Sequence, residues 1–301
     1  MTTNEFIRNA GELSAPYRIT DGAGFSLGRF DPDDKGGQGD DLKSKAKETL
    51  KEGIEEMQKL QDKLYADDRY SILLIFQAMD AAGKDGVIKH VMSGVNPQGC
   101  QVASFKTPSA EELDHDFLWR CNRHLPERGR IGIFNRSYYE EVLVVRVHPD
   151  FLARQRLPGT IGDDRFWESR YRDIRSHEQF LSGNGTVIRK FFLYVSKEEQ
   201  RKRFLKRIES PEKNWKFSAG DVAERGYWDD YMHAYEEMIR HTSSPESPWY
   251  VVPADHKWFT RMIVSSAIID ALGSLDLRYP VMDEKKKAEL TEAGKALVSE
   301  T

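Results

Sequence analysis

A glycine–lysine pair follows an apolar run in this chain and stands among acidic residues. Residues 71–78 read SILLIFQA, a run typical of a strand buried on both faces of a parallel sheet, and residues 79–86 read MDAAGKDG. A turn from such a strand into a helix presents backbone N–H groups to an anion, and the lysine adds a positive charge. The pattern therefore predicts a phosphate-binding loop, whose expected contact residues are Ala82, Gly83, Lys84, Asp85 and Gly86.

The loop departs at two positions from the usual pattern G-x-x-x-x-G-K-[ST]. Ala78 replaces the first glycine, and Asp85 replaces the Ser/Thr that would bind magnesium. The carboxylates of Asp80 and Asp85 compete with a phosphate for the positive end of the helix dipole, unless a divalent cation bridges them to it. We therefore expect a divalent cation near Asp80 and Asp85, with Lys84 supplying a positive charge to the phosphate. The alternative, an ordinary glycine-containing helix start, explains neither the buried strand nor the two carboxylates.

A second polar pair leaves an apolar strand further along the chain. Residues 131–134 read IGIF, and Asn135 and Arg136 follow directly. Ligands of parallel α/β sheets bind beyond the carboxyl ends of the strands, so Arg136 is expected to face the phosphate loop and neutralise charge during phosphoryl transfer. A compatible alternative makes Ser137 a helix N-cap, with Glu140 completing a capping box.

A third stretch is strongly basic. Residues 201–216 read RKRFLKRIESPEKNWK, with seven basic and two acidic residues. The basic residues at 203, 206 and 207 share one helix face, and the break at Pro211 predicts a mobile lid that closes over substrate. A solvated helix face is the alternative. Beside a phosphate loop, in a protein of net charge −4, a phosphate-binding role is favoured.

The elements that must position these motifs alternate along the chain. Further strands are predicted at residues 100–105, 130–135, 186–195 and 249–253. Helices are predicted at 42–64, from 84, at 110–124, from 137, from 197 and at 257–272. This alternation predicts an α/β fold with a P-loop kinase-like parallel sheet, helices on both faces and a basic helical lid. The predicted organisation is an N-terminal arm and linker at 1–40, a phosphotransferase domain at 41–282 with the lid at about 203–225, and a tail at 283–301.

Composition excludes several classes of protein. Of the 301 residues, 39% are hydrophobic and 31% are charged, which is typical of a globular chain. The net charge of −4 argues against a general nucleic-acid binder. We find neither a run of about 20 apolar residues nor a signal peptide. We therefore expect a cytoplasmic location and no membrane association. Cys100 and Cys121 are expected to be ordinary reduced thiols.

Together the three motifs resemble the polyphosphate kinase 2 family. The resemblance rests on QAMDAAGKDGVIKHV at 77–91, FLWRCNRHLPERGRIGIFNRSYYEEVLVVRVHP at 117–149 and RFLKRIESPEKNWKFSAGD at 203–221. It extends from about residue 42 to residue 279, and DAAGKDG and FNRSYYEE are similar to the class III subfamily. The resemblance implies phosphoryl transfer from inorganic polyphosphate to AMP and ADP, giving ADP and ATP. It also implies dependence on Mg²⁺, for which Mn²⁺ could substitute, and a homo-oligomer.

The resemblance also implies roles for individual residues. Asp80, Gly83, Lys84 and Asp85 match the family's phosphate loop, and Asn135 and Arg136 match its strand-end motif. Asn135 stands where some members carry aspartate, so the expected metal ligand is Asp80, with Glu140 second. Asn135 and Glu140 are expected on the nucleotide side of the site. The residues that match the basic lid, and are expected to bind polyphosphate, are Arg203, Arg207, Lys213 and Lys216.

Two alternative functions belong to other classes. An ATP-dependent nucleotide kinase of the thymidylate-kinase type shares the predicted core and lid. Such an enzyme should retain the glycine at position 78 and a Ser/Thr at position 85, and this chain has neither. A non-catalytic polyphosphate-binding protein is the other alternative, although Asp80, Lys84 and Arg136 together argue for catalysis.

Overall fold

A six-stranded sheet forms the centre of the computed structural model, which describes residues 2–37, 40–212 and 214–300. The strand order is β1-β6-β5-β2-β4-β3. Every pairing is parallel except that of β1 with β6. The predicted parallel α/β fold is therefore confirmed. The strands are β1 Arg18–Ile19, β2 Ser71–Gln77, β3 Cys100–Ser104, β4 Ile131–Asn135, β5 Thr186–Tyr194 and β6 Trp249–Pro253.

The helices connect and cover these strands. The longest are α2 and α8, and several near the site have only four to six residues. The helices of the described residues are α1 Thr3–Ser14, α2 Asp40–Asp67, α3 Lys84–Val91, α4 Ala110–Leu113, α5 Trp119–Asn122, α6 Val144–Val147, α7 Pro149–Ala153, α8 Asp164–Gly183, α9 Lys197–Glu209, α10 Ala219–Glu224, α11 Trp228–Thr242, α12 Lys257–Gly273 and α13 Glu284–Ser299.

Strand β2 lies inside the sheet, and all seven of its residues are buried. It pairs in parallel with β4 on one side and with β5 on the other. Phe76 of β2 is opposite Asn135 of β4 and stacks on Phe191 of β5, with ring centroids 4.9 Å apart. This register brings the carboxyl ends of β2 and β4 together, so the two predicted site motifs leave the sheet side by side.

The helix predicted over residues 110–124 is interrupted. Helices α4 and α5 replace it, because the Asp116 carboxylate accepts the Leu118 N–H at 2.9 Å and forms a local turn between them. Aspartate often competes in this way with the helical hydrogen bonds of the backbone.

The helix predicted from residue 137 begins instead as a short 3-10 segment, Tyr138–Val142. Two short helices follow it, α6 with four residues and α7 with five. Pro149 has no N–H to continue α6 and starts α7, where proline is well tolerated.

The N-terminal arm contains elements that the sequence analysis did not predict. Helix α1 begins with a capping box in which Thr2 and Glu5 exchange hydrogen bonds, and β1 adds an antiparallel strand to β6. Helices α8 and α11 were also missed. The bounds of the domain stay a prediction, and β1 of the arm extends the sheet.

The C-terminal tail forms α13, which contains no buried residue. None of the helices in the described part of the chain combines the length and the apolar character that crossing a membrane requires.

Candidate active site

The predicted phosphate loop lies between β2 and α3. Two of its residues have positive φ angles, Ala81 at 60° and Gly83 at 109°. Glycine tolerates such angles freely, whereas alanine there is strained. Non-glycine residues in this region are often found at ligand-binding turns, where neighbouring contacts hold them in place.

Each backbone carbonyl of residues 78–83 accepts a hydrogen bond. Four of these bonds come from side chains, and three of the four come from α9. Loop carbonyls held in this way leave the N–H groups at the start of α3 for an anion, because the first N–H groups of a helix have no partner within it. The donors, in order from Ala78 to Gly83, are Lys84 Nζ, Ala82 N, Gln200 Nε2, Arg203 Nη1, Arg203 Nη1 again and Val87 N.

Lys84 lies across the mouth of the loop. Its Nζ donates to the carbonyl oxygen of Ala78 at 2.7 Å. Burial, together with the positive charge of Arg136, lowers the pKa of Lys84 to about 8. The carboxylates of Asp80, Glu140 and Asp85 offset this effect only in part, so the negative charge of a bound phosphate group would stabilise the ammonium further.

Arg136 faces the loop, as the strand-end position predicted. It has a positive φ of 64°. Its Nη2 donates to Asp80 Oδ1 at 2.9 Å, and its Nη1 lies 3.5 Å from Glu140 Oε2. The guanidinium thus joins the phosphate loop to the segment after β4.

Glu140 is not a capping residue. Its Oε1 accepts from Gln77 Nε2 at 2.7 Å, and its Oε2 faces Arg136. Ser137 does cap the 3-10 segment, since its Oγ accepts the Tyr139 N–H at 3.1 Å. The capping-box interpretation was therefore right for Ser137 and wrong for Glu140, whose carboxylate is directed towards the site.

Asn135 connects β4 to Asp85, the second of the two acidic residues in the loop. Its Nδ2 donates to Asp85 Oδ1 at 2.7 Å. An amide can make this bond to a carboxylate, whereas an aspartate at position 135 would repel Asp85. The replacement of Ser/Thr by Asp85 and the asparagine at 135 are therefore chemically matched.

A buried network supports the segment that follows Arg136. The hydroxyl groups of Tyr138 and Tyr139 both donate to Glu178 Oε1, at 2.9 and 2.7 Å. Lys190 of β5 donates to the other oxygen of Glu178 at 2.6 Å. Since Lys190 and Glu178 are 0% and 1% exposed, breaking this pair would leave an uncompensated buried charge.

Within the predicted lid, Arg207 of α9 and Asp221 of α10 form an ion pair at 3.5 Å. Burial raises the pKa of Asp221, and the negative charge of Asp80 adds to this effect. Helix α10 therefore lies near the phosphate loop. Lys213 is outside the described residues, and the side chain of Lys216 is not described.

Arg203 also lies at the loop, but its side chain is 9% exposed and its guanidinium donates to backbone carbonyls. Of the two arginines predicted on this helix face, Arg203 contacts backbone carbonyls and Arg207 pairs with Asp221 of α10.

A cavity opens beside Arg136 and Glu140, and a neighbouring one continues it towards Arg170. Motif analysis missed its other cations because they come from separate loops and short helices. Residues lining both cavities are Pro108, Leu113, Arg120, Glu141 and Gln155, and the first adds Lys106, Thr107, Val144, Val145, Phe151 and Arg154.

The floor of the two cavities is fixed by a buried ion pair. Arg170 Nη1 lies 3.0 Å from Glu141 Oε2, and its Nη2 donates to Gln155 Oε1 at 3.1 Å. The guanidinium also lies over the rings of Phe117 and Phe166, at 4.3 and 4.9 Å. The wall around Arg170 is therefore polar and partly aromatic.

The described residues contain no group of three or more His, Cys, Asp or Glu side chains that could hold a metal ion by themselves. Mg²⁺ in phosphotransferases commonly takes one or two carboxylates and completes its shell with phosphate oxygens and water. Asp80 fits this chemistry, because Arg136 bonds to only one of its oxygens. Glu140 fits it less well, because Gln77 and Arg136 each contact one of its oxygens.

A phosphate loop at the end of a central parallel strand, an arginine opposite it and a basic lid define a phosphotransferase of the P-loop kinase type. A family model described as Polyphosphate kinase 2 (PPK2) matches residues 41–279. The chain belongs to this family and is a transferase of phosphoryl groups.

Individual relatives agree with this assignment. A protein of Rhodopseudomonas palustris named ADP-polyphosphate phosphotransferase is 60% identical over 252 residues, covering 83% of this chain and 87% of its own. The AMP/ADP-polyphosphate phosphotransferase of Meiothermus ruber is 45% identical over 268 residues, covering 88% and 94%. The crystal structure of polyphosphate kinase 2 from Arthrobacter aurescens has a TM-score of 0.85 at 41% identity, covering 96% of this chain and 97% of that one.

Proposed function

We propose that this enzyme transfers phosphoryl groups from inorganic polyphosphate to AMP and ADP, giving ADP and ATP. The observation that carries the proposal is the position of Arg136, which lies between the phosphate loop and a cavity that continues into a second one. The names of the relatives from R. palustris and M. ruber support the choice of donor and acceptors.

The donor end is assigned to the phosphate loop. The N–H groups around Gly83 and Lys84, the Lys84 ammonium and the lid cation Arg207 would bind the terminal units of the polyphosphate chain. Ala82, Asp85 and Gly86 complete this surface. Lys213 and Lys216 remain proposed donor ligands from the sequence alone. Polyphosphate has no base or sugar, so it must be recognised by charge and hydrogen bonding.

The acceptor end is assigned to the cavity beside Arg136. Its cations Lys106, Arg120 and Arg154 match the negative charge of a nucleotide phosphate. Apolar residues, among them Val145 and Phe151, provide surface for the base. Glu140 lines this cavity and Asn135 bonds to Asp85 of the loop, and both residues are proposed to lie on the nucleotide side.

The proposed reaction requires alignment and charge neutralisation more than proton transfer. An oxygen of the acceptor phosphate forms a new P–O bond to the terminal phosphorus of polyphosphate. The bridging P–O bond breaks, and its electron pair leaves on the shortened chain. Because the attacking oxygen is already anionic near neutral pH, Lys84 and Arg136 act by stabilising charge and holding the two phosphates in line.

Asp80 is the proposed metal ligand, with Glu140 as a weaker second. A bound Mg²⁺ or Mn²⁺ would neutralise negative charge on the donor phosphates. Asp80 itself also holds the guanidinium of Arg136, so it contributes to the site whether or not a cation is present.

A cytoplasmic location and a homo-oligomeric state complete the proposal, together with the absence of nucleic-acid and membrane partners. They rest on composition and on the family resemblance. Light scattering coupled to gel filtration measures the oligomeric state directly.

The test is an incubation with AMP or ADP, long-chain polyphosphate and Mg²⁺, without ATP, followed by separation of the nucleotides. We expect ADP and ATP to form, and Lys84→Ala to abolish most of the product while remaining folded. Transfer only from ATP would favour the thymidylate-kinase alternative. Tight polyphosphate binding without turnover would favour a binding protein.

A further inference from the structure

Helix α9 holds the phosphate loop from behind with two side chains. The Nε2 of Gln200, which is 1% exposed, donates to the Asp80 carbonyl at 2.8 Å. Arg203 Nη1 donates to the carbonyls of Ala81 and Ala82, at 3.2 and 2.7 Å. Three consecutive loop carbonyls are therefore bound by residues one helical turn apart.

The remaining donors of Arg203 are also used. Its Nε donates to Glu199 Oε1 at 2.8 Å, and its Nη2 donates to the carbonyls of Ala254 and Asp255 at 2.6 and 3.0 Å. A guanidinium has five N–H groups, and these bonds with the two to the loop engage all five. None is left for a phosphate oxygen in this conformation.

These bonds determine which way the loop peptides face. In a trans peptide the C=O and the next N–H point in opposite directions. The Ala82 carbonyl faces Arg203, so the Gly83 N–H faces away from Arg203, towards the anion side of the loop. The same contacts hold Ala81 at its strained φ of 60°.

We propose that Arg203, assisted by Gln200, is a positioning residue that fixes the peptide orientations of the phosphate loop and ties it to the turn after β6. This assigns Arg203 a role other than the donor binding expected from its helix face, and leaves donor binding to Arg207. The inference depends on the proposed function in one respect, that polyphosphate binds at this loop.

The kinetic test compares Arg203→Lys and Arg203→Ala with a matched control on the same helix. Lysine keeps the charge but lacks the planar fork of five donors. If Arg203 positions the loop, both variants should lose kcat on the order of a hundredfold, with KM for polyphosphate changed less than about threefold. The control is Arg201→Lys and Arg201→Ala, because Arg201 is exposed and pairs locally with Glu198.

A second measurement does not depend on activity. Hydrogen exchange of residues 79–86 should accelerate in both Arg203 variants, while exchange of β4 and the melting temperature change little. If the unmodified enzyme showed no polyphosphate-dependent transfer, the proposed function would fail, and the exchange experiment would still test the positioning role.

Two outcomes would overturn the inference. In the first, Arg203→Lys retains normal kcat, while Arg203→Ala raises KM for polyphosphate and flattens its dependence on ionic strength, as loss of a donor-binding charge requires. In the second, both variants lose activity although exchange of the loop is unchanged.

Discussion

Asp80 and Glu140 both contact Arg136, so the guanidinium is already oriented before substrate arrives. An incoming phosphate adds negative charge to a group that has two carboxylate neighbours, and it must compete with them. Glu140 has a second partner, because its other carboxylate oxygen accepts a hydrogen bond from Gln77. Arg136 is thus positioned by Asp80 of the loop and by Glu140 of the segment after β4. It can turn towards a phosphate and keep one of these two partners.

Replacing Asp80 with asparagine tests this arrangement. Asp80→Asn keeps the shape of the side chain but removes the charge that holds Arg136 and would bind a cation. We expect kcat to fall on the order of a hundredfold or more. Asp85→Asn should have a smaller effect, because Asn135 can still bond to the amide oxygen at that position. The measurement is kcat for both variants over a range of Mg²⁺ concentrations, and unchanged turnover of Asp80→Asn at saturating Mg²⁺ would refute the assignment.

Lys84 predicts a pH dependence at the same scale. Its pKa is lowered to about 8, chiefly by burial, so the ammonium is charged below that pH and neutral above it. The kcat/KM for polyphosphate should therefore fall as pH rises through about 8. Bound phosphate favours the charged form, so the fall in kcat itself should come at higher pH.

The control for this titration is the Lys84→Arg variant, since a guanidinium stays protonated throughout the range. Any residual activity of Lys84→Arg should lose the alkaline fall near the pKa of about 8 that Lys84 has in the unmodified enzyme. A profile for the unmodified enzyme that stays flat to about two units above that pKa would show that Lys84 does not govern donor binding.

At the scale of elements, strands with continuous apolar sequences were predicted well. Elements that depend on local side-chain hydrogen bonds were not. The bounds of β6 were predicted without error, and those of β2 and β5 to within one residue, because continuous apolar runs specify buried strands. The helix over 110–124 failed because the turn made by Asp116 competes locally with helical bonds. Helix α1 was missed although Thr2 and Glu5 carry a recognisable capping box.

In the site too, the sequence predicts the motifs, but the contacts between their side chains depend on the fold. Loop and strand-end motifs come together because β2 and β4 are neighbours, which the strand pattern allows but does not require. Spacing predicts Arg203 and Arg207 on one helix face, but it does not tell which arginine binds backbone carbonyls and which pairs with Asp221 of α10. The cations of the proposed acceptor cavity carry no local motif, since Lys106, Arg120 and Arg154 are separated in sequence and meet through the fold.

For the molecule as a whole, the N-terminal arm is part of the folded unit although the family match begins at residue 41. Two of its contacts reach the turn after β6. The Asp255 N–H donates to the Pro32 carbonyl at 3.1 Å, and His256 Nε2 lies 2.6 Å from Asp33 Oδ1. Since Arg203 bonds to the carbonyls of the same turn, the arm supports the phosphate loop from a distance.

Deleting residues 1–37 should therefore lower both stability and turnover. The deletion exposes the edge of β6 and removes the buried side chains of Tyr17, Phe25 and Leu27 from the core. Fully burying such side chains contributes about 1.5–3 kcal/mol each, so the melting temperature should drop by many degrees. A matched control is deletion of residues 283–301, where α13 has no buried residue and little change is expected.

A milder variant keeps the test informative if the truncated chain does not fold. Tyr17→Phe removes the hydroxyl that donates to Asp34 Oδ2 at 2.6 Å, while the ring still packs edge-on against Phe259. Loss of one such bond should cost about 0.5–1.5 kcal/mol, measured as the free energy of unfolding in urea. Equal stability of the unmodified enzyme, the N-terminal deletion and Tyr17→Phe would contradict a structural role for the arm. A lower stability with unchanged kcat would limit that role to folding and separate the arm from the phosphate loop.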